Sequence, residues 1–378
     1  MLSCFSLFAN ARLLSQAQTA NSVSQNDDVT DIQCLHGMRV ISMAWIILGH
    51  TFLGLFSSGI LDTTINITAY PANVLWQPIG NAYFAVETFF FMSGLLVAYH
   101  GSKYLERNEG KINVISFTLQ RYLRLLPLMS FMMLLWIGLK PYLGSGPVWY
   151  TQQEDPGCDQ YWWSNLLFIQ NFYPVNLEDA CNGWTCGADL YENFIWSKPY
   201  NRLPPYITGF ILGWYLTKPN QSQPTKITHW LISILACLAL AVVVLAFFPL
   251  RMGFTYSHVF HATYGSLARC IWGVALSGIT WSCIYNNNGF INKFLSCKAF
   301  IPLSRLTYGV YLFHPLLIFV IVFNHQSPIP FNDVTIMLHF ITFLVLSFVA
   351  AAILNLLIEI PIQNLKKFLR SGASPLSE

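Results

Sequence analysis

The chain has 378 residues, of which 54% are hydrophobic and only 10% charged, with a mean hydropathy of +0.47. A soluble domain carries about 25% charged residues, so this composition excludes an ordinary soluble globule and indicates a multi-pass membrane protein. The net charge of +3, with no basic run interleaved with aromatics, makes no case for a nucleic-acid partner. The nine cysteines are scattered without a C-x-x-C pair or zinc-type Cys/His spacing, so no metal site is expected.

The opening stretch MLSCFSLFANARLL is mildly apolar but lacks a basic start and a cleavage site, so it does not read as a signal peptide. Eight apolar runs of helical character follow, near residues 38–57, 79–99, 122–139, 203–217, 228–248, 262–284, 306–324 and 335–358. The expected fold is therefore all-α, a polytopic transmembrane helical bundle of about eight spans. The fourth run is the weakest: it holds Pro204 and Pro205 and falls short of the ~20 residues that a crossing needs.

With the N-terminus in the cytoplasm, 15 of the 20 lysines and arginines fall inside. Lys140, Lys198, Arg202 and Arg251 fall outside, and Arg269 lies within a span. The positive-inside rule then predicts that both termini are cytoplasmic. The expected organisation is a cytoplasmic segment 1–37, a membrane domain 38–358 with an outer loop 140–202, and a cytoplasmic tail 359–378.

The first span, MRVISMAWIILGHTFLGL, carries Arg39 at its start and His50 inside it. At about 100° per residue, eleven residues make three turns plus roughly 20°, which places both side chains on one face about 16 Å apart along the axis. An ionisable group inside a span is a functional candidate by default; a snorkelling arginine and a histidine satisfied by a neighbouring helix are the plainer alternative. The sequon Asn66-Ile67-Thr68 falls in the outer loop that follows and is an expected glycosylation site, whereas Asn220-Gln221-Ser222 falls inside and is expected to stay unmodified.

The second span holds Glu87 near its middle, with Ser93 and Gly94 further along. A buried carboxylate pairs with a cation or keeps a proton, and His50 on the adjacent span is its expected partner. Such a pair is a general-base arrangement, with a structural hydrogen bond between helices as the alternative. Arg121 and Arg124 open the third span on one helical face, where they serve either as inner-face anchors or as ligands for a phosphate-bearing molecule.

The outer loop 140–202 contains Cys158, Cys181 and Cys186, which permit three disulfide pairings with one thiol left over. Trp149, Trp162, Trp163 and Trp184 in the same loop fit an interfacial aromatic belt. Arg269 lies too deep in the sixth span to be an anchor and should face a carboxylate, a polar cavity or a ligand. In the seventh span Tyr308, Tyr311 and His314 share one stripe, and Pro315 frees a carbonyl near Tyr311. Such a stripe commonly packs helices together; here it also supplies a wall for a polar cavity. Glu359 and Pro361 close the last span, where the proline is expected to end the helix.

These pieces in this order resemble the acyltransferase-3 superfamily, and within it the animal nose-resistant-to-fluoxetine group. The resemblance rests on Arg39 with His50, VETFFFMSG around Glu87, RYLRLLP with Arg121 and Arg124, and Arg269 with Trp272. It also rests on TYGVYLFHP from Thr307 to Pro315, on Glu359-x-Pro361, and on CDQYWWSNLLFIQNFYP followed by CNGWT. It implies transfer of an acyl group, other than an amino-acyl group, from acyl-CoA to a hydroxyl acceptor. His50 is then the catalytic base and Glu87 its partner.

By the same resemblance Arg39, Arg121 and Arg124 position the donor's phosphates; Arg269, by its depth, and Tyr308, Tyr311 and His314, by their shared stripe, are the expected lining of the substrate site. Cys158 pairs with Cys181, no cofactor is bound beyond acyl-CoA as co-substrate, and the other partner is membrane lipid. For the animal group it implies lipid and xenobiotic uptake at the plasma membrane or endoplasmic reticulum. A non-enzymatic carrier and an inactive shortened form are the competing readings. The family continues after GWT into further spans, whereas here Trp184-Thr185 runs into CGADLYENFIWSKPYNRLPPY, text that it places two spans later. The chain therefore resembles a shortened form, in which an even number of missing spans preserves the downstream orientation.

Overall fold

The computed structural model describes residues 31–58, 61–62, 73–149, 156–169, 199–218, 224–246, 248–251, 257–286 and 289–370. Among them the main helices are α1 (Cys34–Ser57), α2 (Phe84–Arg107), α3 (Val114–Leu134), α4 (Pro156–Leu166), α5 (Leu203–Tyr215) and α6 (Lys226–Leu245). These are followed by α7 (His258–Tyr285), α8 (Phe290–Leu295), α9 (Phe300–Phe323), α10 (Asp333–Leu354) and α11 (Ile360–Arg370). Extended pairing among the described residues is limited to Leu61–Asp62 beside Ile329–Pro330. Four helices start on a side chain that accepts from a backbone N–H of the first turn: Asn113 for α3, Thr225 for α6, Ser257 for α7 and Asn332 for α10.

Seven helical stretches among the described residues are long and apolar enough to cross a membrane: Cys34–Phe56, Phe84–Arg107, Val114–Tyr142, Lys226–Leu245, His258–Tyr285, Phe300–Phe323 and Asp333–Leu365. The remaining expected span, 203–217, is α5, a helix of 13 residues. At 1.5 Å per residue it covers about 20 Å, short of the ~30 Å of a bilayer core.

Contacts between helices fix their relative directions. α1 and α9 run parallel, because His36 meets Ser304, His50 meets His314 and Gly54 faces Ile318. α3 joins them, with the Tyr308 hydroxyl donating to the Leu125 carbonyl and Trp136 packing on Phe319. α7 runs against α1, because Thr280 meets Met38 while Trp272 meets Trp45. α6 is antiparallel to α7 through Ser233–Ser282 and Tyr264–Val243.

α5 runs parallel to α2. A Cβ added at Gly94 of α2 would collide with the Tyr206 carbonyl, one at Gly209 with the Phe91 carbonyl, and one at Gly213 with the Leu95 carbonyl. Gly209 and Gly213 are four apart, the small-xxx-small spacing that lets two membrane helices touch backbone to backbone. Gly309 of α9 against Ala351 places α10 antiparallel to α9. The directions therefore alternate along the chain only if α5 occupies the fourth place. The start of α1 and the end of α10 consequently lie on one face of the bundle.

Three apolar clusters hold this arrangement. One joins α1, α9 and α10 around Met43, Ile47, Val310 and Phe343; a second joins α1, α2, α5, α6 and α7 around Phe91, Leu95, Leu212 and Trp272; a smaller one joins α3, α4 and α9 around Leu128, Met132 and Leu316. α1 belongs to both large clusters and so stands at the centre. Trp149 departs from the aromatic-belt expectation: it is fully buried, edge-on to Phe319. Trp162 is 46% exposed.

The last span also departs from expectation. Residues Asn355–Glu359 form a π-helical turn and the chain continues as α11 through Pro361 to Arg370. A π turn widens the hydrogen-bond ladder, which accommodates a residue that has no N–H to donate. The expected boundary at 358/359 thus falls inside a continuous helical path, and the expected boundary at 37/38 falls inside α1, which begins at Cys34.

Candidate functional site

His50, five residues beyond Trp45 on α1, faces His314 on α9. Its Nδ1 lies 2.8 Å from His314 Nε2, and the ring planes are within 10° of each other. His314 is fully buried and its Nδ1 lies 3.0 Å from the Val310 carbonyl, so both of its nitrogens are occupied. Within the stripe that joins it to Tyr308 and Tyr311, His314 therefore supports His50 rather than presenting a free nitrogen to a cavity. Tyr308 is likewise engaged, donating to Leu125 across to α3 at 3.0 Å. Tyr311 is 44% exposed, with its ring 6.1 Å from that of His314.

Glu87 does not pair with His50. Its Oε1 accepts from Arg202 Nη1 at 2.8 Å and lies 3.2 Å from Arg269 Nε. The reason lies in the packing of α5 on α2: the glycine contacts bring the residue before Leu203 level with the first turn of α2. A guanidinium there supplies charge as well as directed donors, which makes it a stronger partner for a carboxylate than a neutral imidazole. Glu87 also lies on a different level from His50. The neighbouring Thr88 accepts from Trp272, whose ring packs tilted against Trp45, so Glu87 sits near Trp45, about 7.5 Å along the axis from His50.

Arg269 therefore finds the carboxylate that its depth called for, and it donates as well to the Asn201 carbonyl at 3.0 Å. Arg202 is the residue that the sequence reading assigned only to the outer loop. Its guanidinium is buried and stacked over Phe90 at 5.5 Å. A signal was present: an arginine directly before an apolar run too short to cross must sit at depth if the far end of that run reaches the membrane face. That far end does reach the face, because Leu216 lines a cavity with Asp31, Cys34 and Tyr99. Glu87 itself is fully buried, and its second oxygen, Oε2, has no hydrogen-bond partner among the described residues. Two guanidinium groups thus converge on one carboxylate.

Arg39, Arg121 and Arg124 lie toward the face where α1, α3 and α9 begin. Arg121 donates to Ser93 at 3.0 Å, which ties α3 to α2. Arg39 feels the charges of Asp31 and Arg124, while Arg124 acts on Glu359. The Glu359 carboxylate is held by Asn355 at 2.7 Å and Gln363 at 3.0 Å. Just before α1, Asp31 is bonded to His36 at 2.8 Å, and this bond holds its carboxyl below the usual range. Arg39 and His50 share α1 as expected, so a basic end and a deeper imidazole lie along one helix.

Cys158 is disulfide-bonded. Cys181, the expected partner, lies outside the described residues, as do Cys186 and the Asn66 sequon. Among the described residues no three His, Cys, Asp or Glu side chains come together as a metal site.

The sequence model of the acyltransferase domain family, acyltransferase-3, matches residues 32–176 and again residues 160–358. The chain belongs to the acyltransferase-3 family. Among curated proteins it is 25% identical to nose resistant to fluoxetine protein 6 of Caenorhabditis elegans, over 88% of this chain and 49% of that protein. The chain therefore spans about half the length of the curated relative that it matches. The alignment runs to 419 positions, more than the 378 residues of this chain, so the relative carries additional residues inside the aligned stretch, as a shortened acyltransferase-3 chain requires. No solved structure matches. His50, Glu87, Arg121, Arg124, Arg202, Arg269 and His314 all lie inside the acyltransferase-3 match.

Proposed function

We propose that this membrane protein transfers an acyl group from acyl-CoA to a hydroxyl-bearing acceptor, with His50 as the general base. The observation that carries the reading is the state of His50: Nδ1 is held by His314, Nε2 has no partner among the described residues, and the ring is partly exposed. An oriented imidazole with one open nitrogen, deep in a helix bundle of an acyltransferase family, is the arrangement that general-base catalysis needs.

The acceptor oxygen attacks the thioester carbonyl carbon while its proton passes to His50 Nε2. The tetrahedral intermediate then collapses, the C–S bond breaks, and the departing thiolate takes that proton back. The products are an ester and free CoA, and His50 returns to its starting form. Arg39, Arg121 and Arg124, on the face where α1 and α3 begin, hold the donor's phosphates. That face is the cytoplasmic one by its surplus of lysine and arginine, which places both described ends of the bundle inside, in the plasma membrane or endoplasmic reticulum. Membrane lipid supplies the surroundings, and a lipid or a hydrophobic foreign compound is the acceptor class favoured by a site reached through the bilayer.

The test is thiol release from acyl-CoA by the purified protein in lipid nanodiscs. His50→Ala is expected to lower turnover about 100-fold or more; equal turnover in both proteins removes His50 from the mechanism.

One feature favours a second reading, a carrier for lipids or hydrophobic compounds. α5 begins at mid-depth beside a buried charge cluster, the half-helix arrangement that transporters place at a substrate site. Uptake of substrate that persists in a His50→Ala protein lacking turnover would select it.

A further inference from the structure

We propose that His314 is a positioning residue that sets which nitrogen of His50 is the base, with the Val310 carbonyl as the fixed end of the chain. The inference deepens the acyl-transfer reading and rests on it for its catalytic meaning, but the tautomer it assigns can be measured without any turnover.

The Val310 carbonyl oxygen is the atom whose role is unambiguous. A carbonyl oxygen only accepts, so His314 Nδ1, 3.0 Å from Val310 O, must carry the hydrogen. A neutral imidazole has a single N–H, which leaves His314 Nε2 as a bare lone pair. That lone pair lies 2.8 Å from His50 Nδ1, so the hydrogen between the two rings belongs to His50. His50 Nε2 is thereby left bare, and it is the nitrogen with no partner among the described residues.

The ring geometry agrees. The centroids are 5.0 Å apart and the planes 10° apart, while the nitrogens are 2.8 Å apart. The excess of centroid distance over nitrogen distance is close to one ring diameter. The rings therefore meet edge to edge in nearly one plane, in line for N–H···N, rather than face to face.

The arrangement also handles the proton that catalysis delivers. When His50 Nε2 gains a proton, the Nδ1 hydrogen moves along the same bond toward His314 Nε2. The charge is then shared by two rings, with the Val310 carbonyl accepting at the far end. Proton count is conserved: one enters at Nε2 and one leaves when the thiolate departs. Orienting the base is the service that a carboxylate performs in a Ser-His-Asp triad; here a neutral ring does it and, unlike that carboxylate, can also take up the shared proton, which leaves Glu87 to its two arginines.

The test uses the full chain in nanodiscs with 15N-labelled histidine. In the unsubstituted protein His50 is expected to show a protonated Nδ1 and a bare Nε2 in its neutral form; finding Nε2–H instead overturns the proposal. His314→Gln is the conservative variant, since its amide oxygen accepts from His50 and its amide N–H donates to Val310. It is expected to keep the His50 tautomer and most of the turnover. His314→Ala is expected to lose the fixed tautomer and lower kcat about 10-fold or more, with little change in KM for acyl-CoA. Unchanged tautomer and kcat in His314→Ala overturns the proposal, as does loss of activity in both variants with the His50 tautomer intact. If no form turns over acyl-CoA while the nitrogen assignments follow the expected pattern, the acyl-transfer reading fails and the positioning role stands.

Discussion

Arg202 and Glu87 are 115 residues apart in the chain and 2.8 Å apart in space, and both are buried. The pair forms because glycines on α2 and α5 let the two backbones touch, and it redirects Glu87 from the imidazole of α1 to the end of a half-length helix. Removing one partner of a buried ion pair leaves an uncompensated charge, so Glu87→Ala, which takes the carboxylate from two buried guanidinium groups, should destabilise by about 3–5 kcal/mol. Arg202→Ala should cost less, because Arg269 still neutralises the carboxylate. Thermal unfolding in detergent for both single variants and the double variant checks this, with the double expected to be less damaging than the sum.

The glycine contacts make a separate prediction. Gly209→Val places a branched side chain against the Phe91 carbonyl, a backbone atom that cannot turn aside. Overpacking of this kind costs about 1–3 kcal/mol, and here it would also lift Arg202 from Glu87. A Gly209→Val protein that melts like the unsubstituted one would show that α5 does not dock as described. Gly101→Ala, with nothing within 4 Å of the added carbon, serves as the neutral control.

Asp31 is pulled below its ordinary value by its bond to His36, against a smaller opposing effect of burial. A depressed carboxylate stabilises the fold above its unfolded value of about 3.9, and that stabilisation fades as pH falls through the lower folded value. Asp31→Asn should therefore melt lower than the unsubstituted protein at pH 6, and the gap should close below about pH 4. A gap that stays constant across that range would remove the bond as its source.

If Arg121 and Arg124 hold the donor's phosphates, Arg121→Gln and Arg124→Gln should each raise KM for acyl-CoA about tenfold while leaving kcat nearly unchanged. Steady-state kinetics at low and high salt separates this from anchoring, because screening should weaken donor binding most in the unsubstituted protein.

Cys158 is already paired, so maleimide labelling of the unfolded chain should find two more thiols after reduction than before. Identification of the linked peptide by mass spectrometry decides between Cys181, which the family resemblance implies, and Cys186. A glycosidase-sensitive mass shift abolished by Asn66→Gln would place the α1–α2 connection outside, and its absence from a chain expressed in animal cells would count against the proposed orientation.

What was legible in the sequence was whatever is written locally. Seven apolar runs of crossing length, the inadequacy of the fourth, the shared face of Arg39 and His50, and the family motifs all follow from composition and helical periodicity, which need no knowledge of neighbours. The sequence by itself thus determined that this is a polytopic helical member of an acyltransferase family with ionisable groups buried in its spans. Only the tertiary structure decided how those groups pair: His50 with His314, and Glu87 with Arg202 and Arg269. A partner choice depends on which helices touch, in which direction and at what depth, and here it turned on the glycines at 94, 209 and 213. Hydropathy reads a glycine as neutral, whereas packing reads it as the place where another backbone can arrive.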